Sequence, residues 1–177
     1  MFRALGPGSV SSFLKVILDV FYYVLWIFAV IFALVILGLL LISFNPQVLP
    51  APISAEVEVM GHAPGPVAAL MLTGVELYMI GVLVIVQRLR RIFGTMTAGD
   101  PFHPDNVRRL RVVGGVLALL EIDRYVFGAV DRYILHQPPH GTDAVNLTAW
   151  FAVLVIVVLA EVFREGARLR REAELTI

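Results

Sequence analysis

Four ionisable residues stand inside long apolar stretches of this 177-residue chain: Glu76, Glu121, Asp123 and Arg124. A charge in hydrocarbon costs about 2.5–3.5 kcal/mol on insertion scales, so each of them needs a partner or a wet cavity. Carboxylates and a guanidinium in such places can form a buried ion pair, line a pocket for a polar ligand, or carry protons. A second set, His62, His136 and His140 with Asp131 or Asp143, has the residue types that hold zinc or copper. The run His136-Gln137-Pro138-Pro139-His140 falls in a loop, where the spacing specifies no ligand geometry, so no metal and no cofactor is assigned. The chain has no cysteine, which excludes thiolate chemistry and Cys-based metal centres. It also lacks a phosphate loop, a dinucleotide fingerprint, a nucleophile elbow and a His-Glu-x-x-His helix. Glu121 and Asp123 diverge on a helix and make no hydrolytic pair. No catalytic activity is expected.

Apolar residues make up 59% of the chain and charged residues 16%, with mean hydropathy +0.85. A soluble domain has about 45–50% and about 25%, so the chain belongs in a membrane. A spanning helix needs about 20 apolar residues, and four stretches supply them: about 16–44, 66–87, 107–130 and 144–164. Val20 to Ile42 has no charge, and Pro66 sits at a first turn where a missing N–H is tolerated. Val112 to Val130 is interrupted by Glu121, Asp123 and Arg124. These elements predict an all-α fold, a polytopic integral membrane protein built as a single four-helix bundle (residues 1–177), with a helical tail over 165–177.

The 14 basic and 14 acidic residues cancel, so only their placement informs. Twelve of the fourteen Lys and Arg lie ahead of span one, flank the loop between spans two and three, or stand at or beyond the end of span four. The positive-inside rule therefore puts both termini in the cytoplasm. The outer segment 45–65 is proline-rich, and Ser54 to Val59 alternates as a short strand would. Direct nucleic-acid binding is not expected, because the basic residues follow the topology and suit lipid headgroups. Asp19, near Phe21, Tyr22, Tyr23 and Trp26, reads as an anchor at the inner interface.

Depth and rotation refine the charged set. Glu76 lies twelve residues from Arg88, roughly 18 Å at helical rise, while Glu121 and Arg124 lie roughly 15 and 20 Å from Arg111. Gly114, Ala118, Glu121, Tyr125 and Gly128 share one helix face, and Glu76 shares its own with Ala69, Thr73, Ile80, Leu83 and Gln87. These two faces are expected to meet, with Arg124 bridging Glu76 and Glu121. Asp123 points away and should reach an outer vestibule or another partner.

Three further segments stand out. Gly99-Asp100-Pro101-Phe102 leads through Asp105-Asn106 to Arg109-Leu110-Arg111; Leu159-Ala160-Glu161-Val162-Phe163-Arg164 leads to Gly166; and the chain closes on Glu172-Ala173-Glu174-Leu175-Thr176-Ile177. The first reads as a turn, with Asp105 or Asn106 capping a helix near Val107 and Phe102 folding back onto it as a staple. In the tail, Glu161–Arg164, Glu165–Arg168 and Arg168–Glu172 have the spacing of helical ion pairs. Together these segments resemble the bacterial four-span membrane proteins of domain of unknown function 2975, collinearly over nearly the whole chain. The resemblance implies an inner-membrane location and a small cytoplasmic helix-turn-helix transcription regulator as partner. Asp100, Phe102, Arg108, Arg109 and Arg168 would form the docking surface. A membrane regulator or sensor is the expected function, with a transporter or channel subunit using a Glu/Arg polar path, or a structural subunit, as alternatives. Membrane lipids and a second copy of the chain are the other expected partners.

Overall fold

The computed structural model describes residues 10–44, 65–134 and 145–175. All regular structure among them is helical: α1 (Val10–Phe44), α2 (Gly65–Thr97), α3 (Pro104–Ile134) and α4 (Leu147–Glu174). Most of the proline-rich segment 45–65, with the strand expected at 54–59, lies outside the described residues, as do His62, His136 and His140. Phe13–Ile42, Ala68–Thr97 and Leu147–Ala173 are long and apolar enough to cross a membrane. They mark the chain as a membrane protein. Their side chains agree: Phe13, Phe21, Ile27, Phe28 and Leu34 of α1 and Phe151, Leu154, Val158 and Val162 of α4 are exposed. An apolar surface this extensive needs a lipid-like surrounding.

The helices run past the apolar stretches that define them, and α2 continues ten residues beyond Gln87 to Thr97. The substantial packing among the described residues joins chain neighbours: α1 on α2, α2 on α3 and α3 on α4. Glycine sets the α2–α3 spacing. A β-carbon at Gly74 would come within 2.5–2.7 Å of the Phe127 ring, and one at Gly81 would overlap Leu120. The two glycines are seven residues apart and share a face, so the backbone of α2 lies directly against large side chains of α3. On α3, Gly114 admits Ile156 and Val157 of α4. Ile92, Leu110 and Ala160 form a small core where α2, α3 and α4 converge, flanked by Leu89, Met96 and Phe163.

Gly99 ends α2 in the left-handed region, φ +83°. Its N–H donates to the Met96 carbonyl and that of Asp100 to Thr95, at 3.1 and 3.0 Å. This is the double closure of a Schellman motif, which favours glycine because a side chain is strained there. The expected cap of α3 is displaced. His103 caps it: its Nδ1 accepts from the Asp105 N–H at 3.2 Å, its carbonyl accepts from Asn106 N–H at 2.9 Å, and Pro104 takes the first helical position. Asn146 caps α4 by accepting from the Ala149 N–H at 3.2 Å.

Candidate functional site

The expected Glu76–Arg124–Glu121 bridge is not formed. Arg124 pairs with Glu121 one turn away on α3, through Nη2–Oε1 at 2.6 Å and Nε–Oε2 at 3.3 Å. Its guanidinium also lies 4.8 Å from the centre of the Tyr125 ring. Glu121 is 6% exposed. The face of α3 that carries Gly114 and Tyr125 meets α4 and not α2. Gly114 receives Ile156, and the Tyr125 hydroxyl accepts from Asn146 N–H at 3.1 Å and Trp150 Nε1–H at 3.4 Å. Asp123 is half-buried and makes no ion pair among the described residues.

Glu76 is turned elsewhere. At 100° per residue it stands about 200° around α2 from Gly74, so the glycine face that meets α3 points Glu76 toward α1. There it lines a cavity of about 400 Å³ with Tyr22, Trp26, Ala29 and Ala33 of α1 and Ile80, Leu83 and Gln87 of α2. Its Oε2 is shielded and has no hydrogen-bond partner. An acceptor left in that state costs about 1–3 kcal/mol, more when charged. Small residues on α1, with Ala29 at 7% exposure, leave the space beside the carboxyl open.

At one end of this cavity the two helices are latched. Arg90 of α2 bonds Asp19 of α1 and lies over the rings of Tyr22 and Tyr23, 4.4 and 5.4 Å from their centres. Tyr22 thus serves both the cavity wall and the latch. Asp19 was legible as an interface residue, but its partner is 71 positions away and no local spacing reveals it.

Of the five docking residues expected in the α2–α3 turn region and the tail, four are engaged with other residues of the chain. Asp100 bonds Arg170. The Phe102 ring packs on Phe163, with centres 5.7 Å apart, and fills the space beside Gly166 of α4. Arg109 donates to the Arg91 carbonyl at 3.1 Å and to Asn106 Oδ1 at 2.9 Å. Asn106, fully buried, is the hub missed in the sequence: its Nδ2 donates to Thr95 Oγ1 at 2.8 Å and to the Pro101 carbonyl at 3.0 Å. Arg168 pairs with Glu165 and Glu172, at 3.0 and 3.3 Å, and Arg164 with Glu161, as the tail spacing predicts. Arg111 adds a cross-helix pair with Glu161 at 3.5 Å. Arg108 remains exposed.

Two of the three segments that carried the family resemblance therefore form one joint, in which the α2–α3 turn closes on the Leu159–Gly166 segment of α4. No curated protein and no solved structure matches the chain. A family model described as protein of unknown function, DUF2975, matches residues 20–177, nearly the whole of it, and the chain belongs to that family.

Proposed function

We propose that the chain is a four-span sensor of the bacterial inner membrane, N-in and C-in, that binds an amphipathic cation from the lipid phase between α1 and α2. The carrying observation is the shielded, unpartnered Glu76 Oε2 at an otherwise largely apolar cavity. A basic nitrogen on an apolar body complements it: the carboxyl accepts the N–H, Trp26 and Tyr22 offer aromatic faces to the cation, and the remaining wall takes the hydrocarbon. In this reading α3 is the remaining span. The Asp100–Arg170 and Phe102–Phe163 contacts put the α2–α3 turn beside the distal half of α4. If α2 and α4 both cross, α3 must cross between them for that contact to form. The Glu121–Arg124 pair neutralises two of its three deepest charges within one turn.

A ligand against Tyr22 would press on the Arg90–Asp19 latch, and the inner joint would pass the change to a small cytoplasmic helix-turn-helix regulator. The transport alternative has less support: Glu76 faces α1 while Glu121 and Arg124 are paired on another interface, so their carboxyls do not line one path.

Trp26 lies in the cavity wall, and the only other tryptophan is Trp150. In a Trp150→Phe background in lipid nanodiscs, dodecylamine should change Trp26 emission saturably and dodecanol should not. Glu76→Gln should weaken the amine response about tenfold or more, the loss expected when a charge-assisted bond becomes neutral. Equal responses to amine and alcohol, or to wild type and Glu76→Gln, would end the reading.

A further inference from the structure

A second polar feature lies at the inner end of a different interface, independent of the Glu76 cavity. Between α2 and α3 a cleft of about 330 Å³ is lined by Arg88, Arg91, Arg108 and Arg109, with Asp105 and Val112. Four cations face one acid there. Asp105 is already committed to Arg109, 3.6 Å away. Arg88, Arg91 and Arg108 have no acidic side chain within ion-pair distance among the described residues. The Arg88 Nε is shielded from solvent and makes no hydrogen bond. Elsewhere at the inner surface the opposite practice holds: Arg90, Arg111, Arg164, Arg168 and Arg170 each meet a carboxylate.

Unopposed guanidinium groups from two helices repel, and a shielded N–H without an acceptor adds to the cost. Both penalties disappear if an anion with several oxygens sits in the cleft. Guanidinium forks match phosphate oxygens in paired hydrogen bonds, whereas one carboxylate cannot serve donors from three sides. The level of the cleft narrows the source. Arg88 directly follows the apolar stretch of α2, and Val112 begins that of α3. A group held there has its phosphate at the headgroup layer and its remainder against hydrocarbon.

We infer that Arg88, Arg91 and Arg108 form a phosphate-binding site that takes the headgroup of an anionic phospholipid and ties α2 to α3. Arg109, occupied by the Arg91 carbonyl and Asn106, positions the cleft and does not hold the ligand alone.

The test uses the full chain in neutral detergent, with thermal midpoint and native mass spectrometry as readouts. Phosphatidylglycerol or cardiolipin should raise the midpoint saturably and leave lipid adducts, while phosphatidylcholine should do neither. Arg91→Gln/Arg108→Gln should shift half-saturation about tenfold or more, as two headgroup-level cations are removed. Arg164→Gln/Arg168→Gln removes as many charges from the tail and should leave half-saturation within about twofold. Arg88→Gln, tested by adduct mass alone, covers the case where its burial makes the variant unstable. Inorganic phosphate and glycerol 3-phosphate form the soluble arm: saturation by these at millimolar levels assigns the same cleft to a free phosphate. Equal losses in the cleft and tail variants, or no saturable response to any phosphate compound, would overturn the site.

Discussion

Phe102 occupies the space that Gly166 leaves open on α4: a β-carbon at 166 would stand 2.7 Å from two carbons of its ring. The turn between α2 and α3 is thereby locked to a glycine sixty-four residues later in the chain. Gly166→Val must displace that ring and should cost about 1–3 kcal/mol, as overpacking does. Thermal unfolding in detergent would register the loss, with faster proteolysis between Thr97 and His103. In a Phe102→Ala background the obstacle is gone, so the same substitution should cost far less. Additive losses would mean the ring does not rest there.

Asn106 joins three segments through one amide: Thr95 near the end of α2, Pro101 in the turn, and Arg109 on α3, which in turn reaches the Arg91 carbonyl of α2. Asn106→Ala strands the Pro101 carbonyl and frees Arg109, so a loss of about 2–4 kcal/mol is expected. Asn106→Asp keeps an acceptor for Arg109 but removes both Nδ2 donors, and should still lose more than half as much. Chemical denaturation of the two variants side by side reads the difference; an Asp variant as stable as wild type would show the donors to be idle.

The elements were legible because hydrophobic run length and arginine placement are local properties. So were the tail ion pairs, which depend only on helical spacing, and each of them forms. Which face of a helix meets which neighbour was not legible from charge. Reading Glu76 toward α3 assumed that buried charges seek each other across helices, yet Arg124 found Glu121 on its own helix. The informative signal was steric. Gly74 and Gly81, at a seven-residue interval, mark the close-packed face, and Glu76 stands nearly opposite. The turn motif misled in a similar way. A staple and an Asn cap are local solutions, whereas Phe102 and Asn106 also make contacts that exist only once α4 and α2 are in place.

The α2–α3 interface gives a steric test. A methyl group at Gly81 would overlap Leu120, so Gly81→Ala should destabilise by about 1–3 kcal/mol or force the helices apart. Leu120→Ala alone should also cost, since Leu120 is 8% exposed. The double variant should recover part of the sum, with a coupling of about 0.5–3 kcal/mol in a double-mutant cycle. Strict additivity would place the two residues apart.

For the buried pair on α3, removing one partner should hurt more than removing both. Arg124→Leu leaves the Glu121 carboxylate shielded and unpaired, and should cost about 2–4 kcal/mol, somewhat less than a fully buried pair because Arg124 is partly exposed. Adding Glu121→Gln to that variant should restore most of the loss. Unfolding in detergent reads the comparison. A double variant worse than Arg124→Leu would show that Glu121 has a partner of greater consequence than Arg124.

Whether α3 crosses the bilayer is open to a direct measurement, because the chain has no cysteine and single introduced thiols report without background. Ala98 in the α2–α3 turn, Val145 before α4 and Ala173 near its end are all exposed. If all four helices cross, Ala98→Cys and Ala173→Cys should react with an impermeant maleimide only after the cells are permeabilised, and Val145→Cys should react in intact cells. If α3 lies along the surface, Val145 joins Ala98 on the inner side and Ala173 goes to the outer side. That second pattern would also separate Asp100 from Arg170 by the thickness of the membrane, and a pair in hydrogen-bond contact cannot be separated so. The expected pattern therefore follows from the contact between turn and tail as well as from the arginine distribution, and these two lines rest on different residues.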